Sequence, residues 1–207
     1  MLPTDTLADI GCDHGKAGAE AIRRGLAQRV IFGDVSRQSL EKAKNLCAAE
    51  GAAKVQFVCC DGCDGIDRAD TLLIAGMGGK EIISILRKCR FVPKQLVLQP
   101  MRNQRELREY LKENWYAEID KTVFDKKFYT VLRCCAGKES PDELTLTFGK
   151  TDLKERRPEF EKFLKKEIIK AKALLEKSDV KKWRDYLTML NAARRKYDGS
   201  AEKVSRN

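Results

Sequence analysis

Short apolar runs, each closed by Asp, Gly or Pro and most followed by a helical pattern, fill the first two thirds of this chain. They are Thr6–Ile10, Arg29–Asp34, Lys54–Cys59, Thr71–Ala75 and Gln95–Gln99. Their Val, Ile and Leu content, without a polar face, suits strands covered on both sides. Between them, Ser36 or Ser39 can cap a helix running to Glu50, with Gly51 as its stop. Gly79–Lys88 and Asn103–Asn114 repeat apolar residues at helical spacing. Strands joined by crossover helices predict an α/β fold with a parallel, doubly wound sheet. Two further runs, Tyr116–Phe124 and Phe128–Cys135, flank Asp125-Lys126-Lys127 and predict a terminal hairpin that adds an antiparallel strand.

Beyond this the pattern changes. Phe160, Phe163, Leu164, Ile168, Ala171, Leu174 and Leu175 fall at three- and four-residue steps, and Trp183, Leu187 and Leu190 resume them after Ser178-Asp179. Two amphipathic helices in an antiparallel hairpin are expected, with a polar, frayed end from Asp198. Charge follows the same division. Residues 1–150 carry 24 cations and 21 acids, whereas 151–207 carry 17 and 10. A boundary near Gly149–Asp152 follows, giving domains 1–150 and 151–207. The whole chain of 207 residues has a formal charge of +10, which calls for a polyanionic partner, nucleic acid ahead of membrane. No apolar stretch reaches the eighteen residues of a membrane span. The acidic start is not that of a signal peptide, and the eight cysteines are expected as reduced cytoplasmic thiols.

The chemistry gathers where strands end. The first run delivers Asp9-Ile10-Gly11-Cys12-Asp13-His14-Gly15 onto a turn, and Asp34-Val35 close the second. Asp61-Gly62 follow the third, and Ala75-Gly76-Met77-Gly78-Gly79 the fourth. In an open α/β sheet, ligands bind at the carboxyl ends of the strands, so these loops share one edge. Gly and Asp are ordinary turn residues, yet four such loops in register exceed what turns alone require. The Gly-x-Gly-x-x-Gly of a dinucleotide site is absent, and Gly11 to Gly15-Lys16 is one residue short of a P-loop and lacks its Ser/Thr. Asp9 and Asp13 would repel phosphates. They would attract S-adenosylmethionine, which has no phosphate and carries a sulfonium and an ammonium. Asp34 stands where an acid can accept from ribose hydroxyls.

Ala8-Asp9-Ile10-Gly11-Cys12-Asp13-His14-Gly15, Ile74-Ala75-Gly76-Met77-Gly78-Gly79 and Leu98-Gln99-Pro100, in this order, resemble the bacterial tRNA (adenine-N1)-methyltransferases of the TrmK type. The resemblance covers nearly the whole chain. It implies a Rossmann-like class I methyltransferase domain with a helical, coiled-coil-like extension, and methylation of adenine N1 at position 22 of tRNA. It also implies S-adenosylmethionine held by Asp9, Gly11, Asp13, Asp34, Val35, Asp61, Gly62, Ala75, Gly76, Met77 and Gly78, with Asp61 beside the adenine amine. The chain departs from the family at Lys16, where a tyrosine is common, and at Met101, where an asparagine is usual.

Asp13 and His14, the only histidine, are the candidate catalytic residues. The ring nitrogen of neutral adenine already has a free lone pair, so attack needs positioning rather than a strong base. An acceptor for the exocyclic amine is needed as the ring becomes cationic. Asp13 can accept from it while His14 orients Asp13 or assists later proton loss; the division between the two stays open. Cys59-Cys60-Asp61-Gly62-Cys63 holds one Cys-x-x-Cys, but zinc wants a second well-spaced pair, so no metal is expected. Arg102, Arg105 and Arg108, Lys126-Lys127, Lys165-Lys166 and Arg194-Arg195-Lys196 are candidate phosphate contacts. One basic surface per chain suits a monomer. Two rivals are a methyltransferase of a small molecule or protein, and a non-catalytic tRNA-binding protein.

Overall fold

In the computed structural model, residues 1–49, 54–155, 157–178 and 180–204 are described, without the side chains of 197–204. The elements in order are β1 (Thr4–Ile10), α1 (Lys16–Arg23), β2 (Ala27–Asp34), α2 (Arg37–Ala49), β3 (Val55–Cys59), β4 (Thr71–Gly78), α3 (Gly79–Lys88) and β5 (Gln95–Arg102). Then follow α4 (Gln104–Leu111), β6 (Trp115–Asp125), β7 (Lys127–Ala136), α5 (Glu143–Phe148), α6 (Lys150–Glu155), α7 (Pro158–Lys177) and α8 (Lys181–Val204). The expected stop of α2 at Gly51 lies outside the described residues. In the tail, α8 runs on through Asp198 to Val204, where a frayed end was expected.

The sheet has the strand order β3-β2-β1-β4-β5-β7-β6. The pairs β1–β2, β1–β4, β2–β3 and β4–β5 are parallel, and β7 runs antiparallel to β5. Leu7, Ala8, Asp9 and Ile10 are all buried, as the unbroken apolar run requires of a central strand. On one face Leu7, Val30 and Phe32 pack with Ala19, Ala43 and Cys47. On the other, Ala8, Ile10, Leu72, Ile74, Leu96 and Leu98 pack with Ile82 and Leu107. The order reverses between β1 and β4, which leaves a crevice at their carboxyl ends.

The chain packs as two units, and the division is not at residue 150. One unit holds Met1–Glu118 and Leu132–Glu139; the other holds Ile119–Val131 and Ser140–Asn207. The reason is hydrogen bonding across some thirty residues of sequence. Thr151 Oγ1 accepts from Asp120 N at 2.8 Å, and Asp152 Oδ2 accepts from Thr122 N at 2.5 Å, both buried. The start of α6 thus satisfies backbone donors of β6, an edge strand. Within the same unit Phe148, Phe160, Leu164, Ile168, Leu190 and Ala193 form a core between α5, α7 and α8.

Burial pushes the Asp152 carboxyl up to about 6 despite the hydrogen bond from Thr122. Replacing it by Ala leaves a buried N–H without its acceptor, so Asp152→Ala is expected to destabilise the second unit by about 1–3 kcal/mol in urea unfolding. An unchanged midpoint would contradict this role.

Candidate active site

The turn after β1 is built on backbone bonds to its neighbour. Gly11 N and Cys12 N both reach Gly33 O, at 2.7 and 3.2 Å, so the turn rides on the end of β2. Gly11 has φ +67°, and a Cβ there would overlap the methyl carbon of Met77. The positive φ favours glycine, and the Met77 side chain fills the space beside it. The Asp9–Gly15 turn and the Gly76–Gly79 segment, separated by some sixty residues of sequence, therefore meet at one point.

Asp13 also adopts a left-handed backbone, φ +48°, which a non-glycine residue takes only when held there. Two contacts hold it. Its N–H donates to Asp34 Oδ2 at 3.0 Å, and its own Oδ2 lies 2.6 Å from His14 Nδ1. The hydrogen bond with His14 holds the Asp13 carboxyl below the usual range, so it is an anionic acceptor at neutral pH. Both side chains are open to solvent, His14 at 47% and Asp13 at 70%. Asp34 uses its second oxygen on Ser36 N at 2.8 Å, tying the turn to the start of α2. Val35 beside it is 68% exposed, an apolar face at a strand end.

Asp9 is placed differently from its neighbours. It is 3% exposed, and its Oδ2 accepts from Gly18 N at 2.9 Å. Gly15, the residue preceding α1, has no side chain with which to cap it, so Asp9 supplies the acceptor from the strand below. Burial is the main cause that pushes its carboxyl up to about 7.

Gly76 (φ +77°) turns the end of β4, and Gln99 Oε1 accepts its N–H at 3.0 Å. Gly78 N donates to Glu81 Oε2 at 2.8 Å at the start of α3. Ala75 pairs with Gln99 on β5. Asp61 faces Lys88 Nζ at 3.2 Å, both largely exposed, and Gly62 (φ +62°) packs on Ile85. The loop is fixed further by Cys60 Sγ, which donates to Gly62 O at 3.3 Å. All the candidate catalytic and cofactor-holding residues thus lie on strand ends and turns at the carboxyl edge. Glu81 was not among them, and Gln99 had been noted only within a family element, although each fixes a backbone group of this edge. A polar residue closing the apolar run Gln95–Gln99 was the available signal for Gln99.

A cavity of about 670 Å³ lies elsewhere, at the amino edge, lined by Thr6, Arg29, Ile31, Gln56, Arg68 and Asp70 among others. It contains none of the turns described above. Strand-order reversal and converging loops define the ligand edge of such sheets, so volume is the weaker guide here. Among the described residues, no three or more His, Cys, Asp or Glu side chains are grouped to hold a metal ion. All eight cysteines are free thiols, and no described helix is long and apolar enough to cross a membrane.

Strand order and loop chemistry define a Rossmann-like α/β fold of the methyltransferase kind. The chain belongs to the tRNA (adenine(22)-N(1))-methyltransferase family, whose profile matches residues 7–196. A tRNA (adenine(22)-N(1))-methyltransferase of Bacillus subtilis is 33% identical over 153 residues, 69% of this chain and 64% of that protein. The chain spans just under two thirds of the curated relatives it matches, 66% and 64% for two of them. Among solved structures, a Streptococcus pneumoniae protein assigned as a tRNA (m1A22) methyltransferase, in complex with S-adenosyl-L-methionine, superposes with a TM-score of 0.83 at 26% identity. The match covers 93% of both chains. The B. subtilis M1A22 tRNA methyltransferase TrmK gives a TM-score of 0.76 at 25% identity over 96% of this chain and 93% of that one.

The buried Asp9 has a consequence for pH. Its carboxyl is raised from 3.8 to about 7, so the folded chain keeps a proton that the unfolded chain releases in that window. The stability this contributes is complete below about pH 4 and is lost as pH rises through 7. Asp9→Asn, which keeps an acceptor for Gly18 N, is expected to flatten the fall in stability between these limits. Urea unfolding across pH 4–8 reads this directly, and an unchanged slope would contradict it.

Proposed function

We propose that the chain is an S-adenosylmethionine-dependent methyltransferase that methylates adenine N1 in tRNA, at position 22 by family. The observation that carries this reading is the acidic, phosphate-repelling turn Asp9–Gly15 fixed against Asp34 and the Gly76–Gly79 segment. The residues present fit that cofactor. Gly11 takes a left-handed backbone that keeps the turn tight, Val35 offers an exposed apolar face, and Asp13, Asp34 and Asp61 supply carboxylates, the last with Lys88 beside it. In this reading Gly11, Asp13, Asp34, Val35, Asp61, Gly62 and Ala75–Gly78 hold the cofactor, and the buried Asp9 shapes the turn from beneath.

Bound there, S-adenosylmethionine supplies an electrophilic methyl group. The chain's own part is to place the adenine ring in line with it. Asp13, kept ionised by its bond to His14, accepts the exocyclic N–H as positive charge grows on the ring. His14 fixes the direction of that carboxylate, and its exposed ring can pass a proton to water afterwards. Backbone groups around Gly76 and Gly78, held by Gln99 and Glu81, keep the wall of the pocket rigid.

We assign tRNA binding to the basic tail, and place the protein in the cytoplasm as a monomer. In the tail, Lys162, Lys172 and Lys181 are exposed, and among the described residues none is within ion-pair distance of a carboxylate. Such cations can release counterions from a phosphate backbone.

Incubation with tRNA and labelled S-adenosylmethionine, followed by nucleoside mass spectrometry, is expected to yield 1-methyladenosine. Cofactor binding without methylation would favour a silent tRNA binder, and transfer to other acceptors only would favour the small-molecule or protein alternative. Asp34→Ala is expected to weaken S-adenosylmethionine binding by about 1.5–3 kcal/mol in calorimetry, and unchanged affinity would remove Asp34 from the site. His14→Ala is expected to lower turnover by about 10²-fold with cofactor affinity near normal; a wild-type rate would end its assignment. Changing Lys162, Lys172 and Lys181 to Gln is expected to reduce the slope of log affinity against log salt by about 2, and equal slopes would leave those charges merely solvated.

A further inference from the structure

The tip of the β6–β7 hairpin, within the second unit, carries a surface that the methyltransferase site does not use. Lys126 makes the turn with φ +59°, which sets the residues on either side close together. Phe124 and Phe128 meet across it, their ring centroids 5.0 Å apart and tilted by 56°. Phe128 is in turn held edge-on by Phe163 of α7 at 5.6 Å. Phe124 is therefore backed by a fixed aromatic cluster and yet 56% exposed, a large apolar ring presented to water at a loop tip.

Cations surround these rings. Lys166 Nζ lies 5.6 Å from the centroid of Phe128, and Lys127 Nζ lies 5.1 Å from that of Tyr129. Among the described residues, Lys126, Lys127 and Lys166 have no carboxylate within ion-pair distance, whereas the neighbouring Lys165 is taken by Glu161 at 2.6 Å. Asp125 is the one acid at the turn itself. An exposed ring on a rigid aromatic backing, flanked by uncompensated ammonium groups, is complementary to a ligand with flat π faces and a string of negative charges. Single-stranded nucleic acid is such a ligand: its bases stack on aromatics and its phosphates pair with lysines. A protein partner would need an apolar counter-surface larger than one ring, and the three unpaired lysines argue against burial in such an interface.

We propose that the hairpin tip is an RNA-contact site in which Phe124 stacks on an unpaired nucleobase while Lys126, Lys127 and Lys166 bind the adjoining phosphates. The site rests on the reading of the protein as a tRNA enzyme and adds to it a position that grips unpaired nucleotides, formed by the hairpin tip together with Lys166 of α7. Exposure makes Phe124 replaceable without loss of the core, since Phe128 and Phe163 keep their own contact.

The test is binding of the full chain to an unmodified tRNA transcript and to a blunt RNA duplex of equal length, across salt concentrations. Phe124→Ala and Phe124→Leu are expected to weaken tRNA binding about tenfold with little change in salt slope, and to leave duplex binding as it was. Phe124→Trp should restore tRNA affinity, because it restores a stacking face. Lys126→Gln with Lys127→Gln should reduce the salt slope by about 0.7 per lysine. Wild-type affinity for tRNA in Phe124→Ala would overturn the proposal while leaving the enzyme's function standing. So would a change in oligomeric state by light scattering with RNA affinity intact, which would give the ring to a protein contact. Failure of the unaltered chain to bind tRNA at all would overturn the functional reading, and this site with it.

Discussion

Two turns make one site only where they pack together, and here the backbone of Gly11 meets the side chain of Met77. The methyl carbon of Met77 occupies the space of a Cβ at position 11, where φ is +67°. Everything at the carboxyl edge is arranged around that approach. Gly11 hangs from Gly33 of β2, Asp34 reaches back to Asp13, and Gln99 steadies Gly76 from β5. Strand β2 thus fixes the turn after β1, and β5 fixes the turn after β4. Each turn gains its precision from strands, which are rigid, rather than from its own length.

Much of the fold was legible because apolar periodicity dictates it. Strands β1, β2, β4 and β5 stand over the predicted runs, and α3 over Gly79–Lys88, because Val, Ile and Leu bounded by Gly, Pro and Asp leave few other options. The hairpin was legible from Asp125-Lys126-Lys127 for the same reason. What could not be read was where the second unit begins. A charge count and a change of period placed it near residue 150, but the side chains of Thr151 and Asp152 satisfy donors of β6 some thirty residues earlier. Long-range hydrogen bonds of this kind leave no local signature. The short helices α5 and α6 escaped notice for a related reason: six residues are too few to show a helical period.

The candidate site was legible as a set of loops and less so as a set of roles. Asp9 and Asp13 look alike in sequence, four residues apart on one turn. In three dimensions Asp9 is buried under α1 and accepts Gly18 N–H, while Asp13 stands in solvent against His14. Strand alternation and helix capping separate them, and neither is visible until the pleat and the helix start are known. Asp34 likewise reads as an acceptor for a ligand, yet both its oxygens already hold backbone amides of the site. A carboxylate oxygen has a second lone pair, so it can brace the turn and receive a hydroxyl at once. Gln99 escaped as a site residue since its work, an acceptor for Gly76, depends on a neighbouring strand.

The central claim is that the carboxyl-edge turns, and not the amino-edge cavity, receive the cofactor. Backbone hydrogen exchange with and without S-adenosylmethionine tests it most directly, because protection is read segment by segment. The account predicts slower exchange in residues 10–15, 34–36, 61–63 and 75–79, with Thr6, Arg29–Ile31 and Gln56 unaffected. Protection confined to that second set, around the cavity of about 670 Å³, would contradict it.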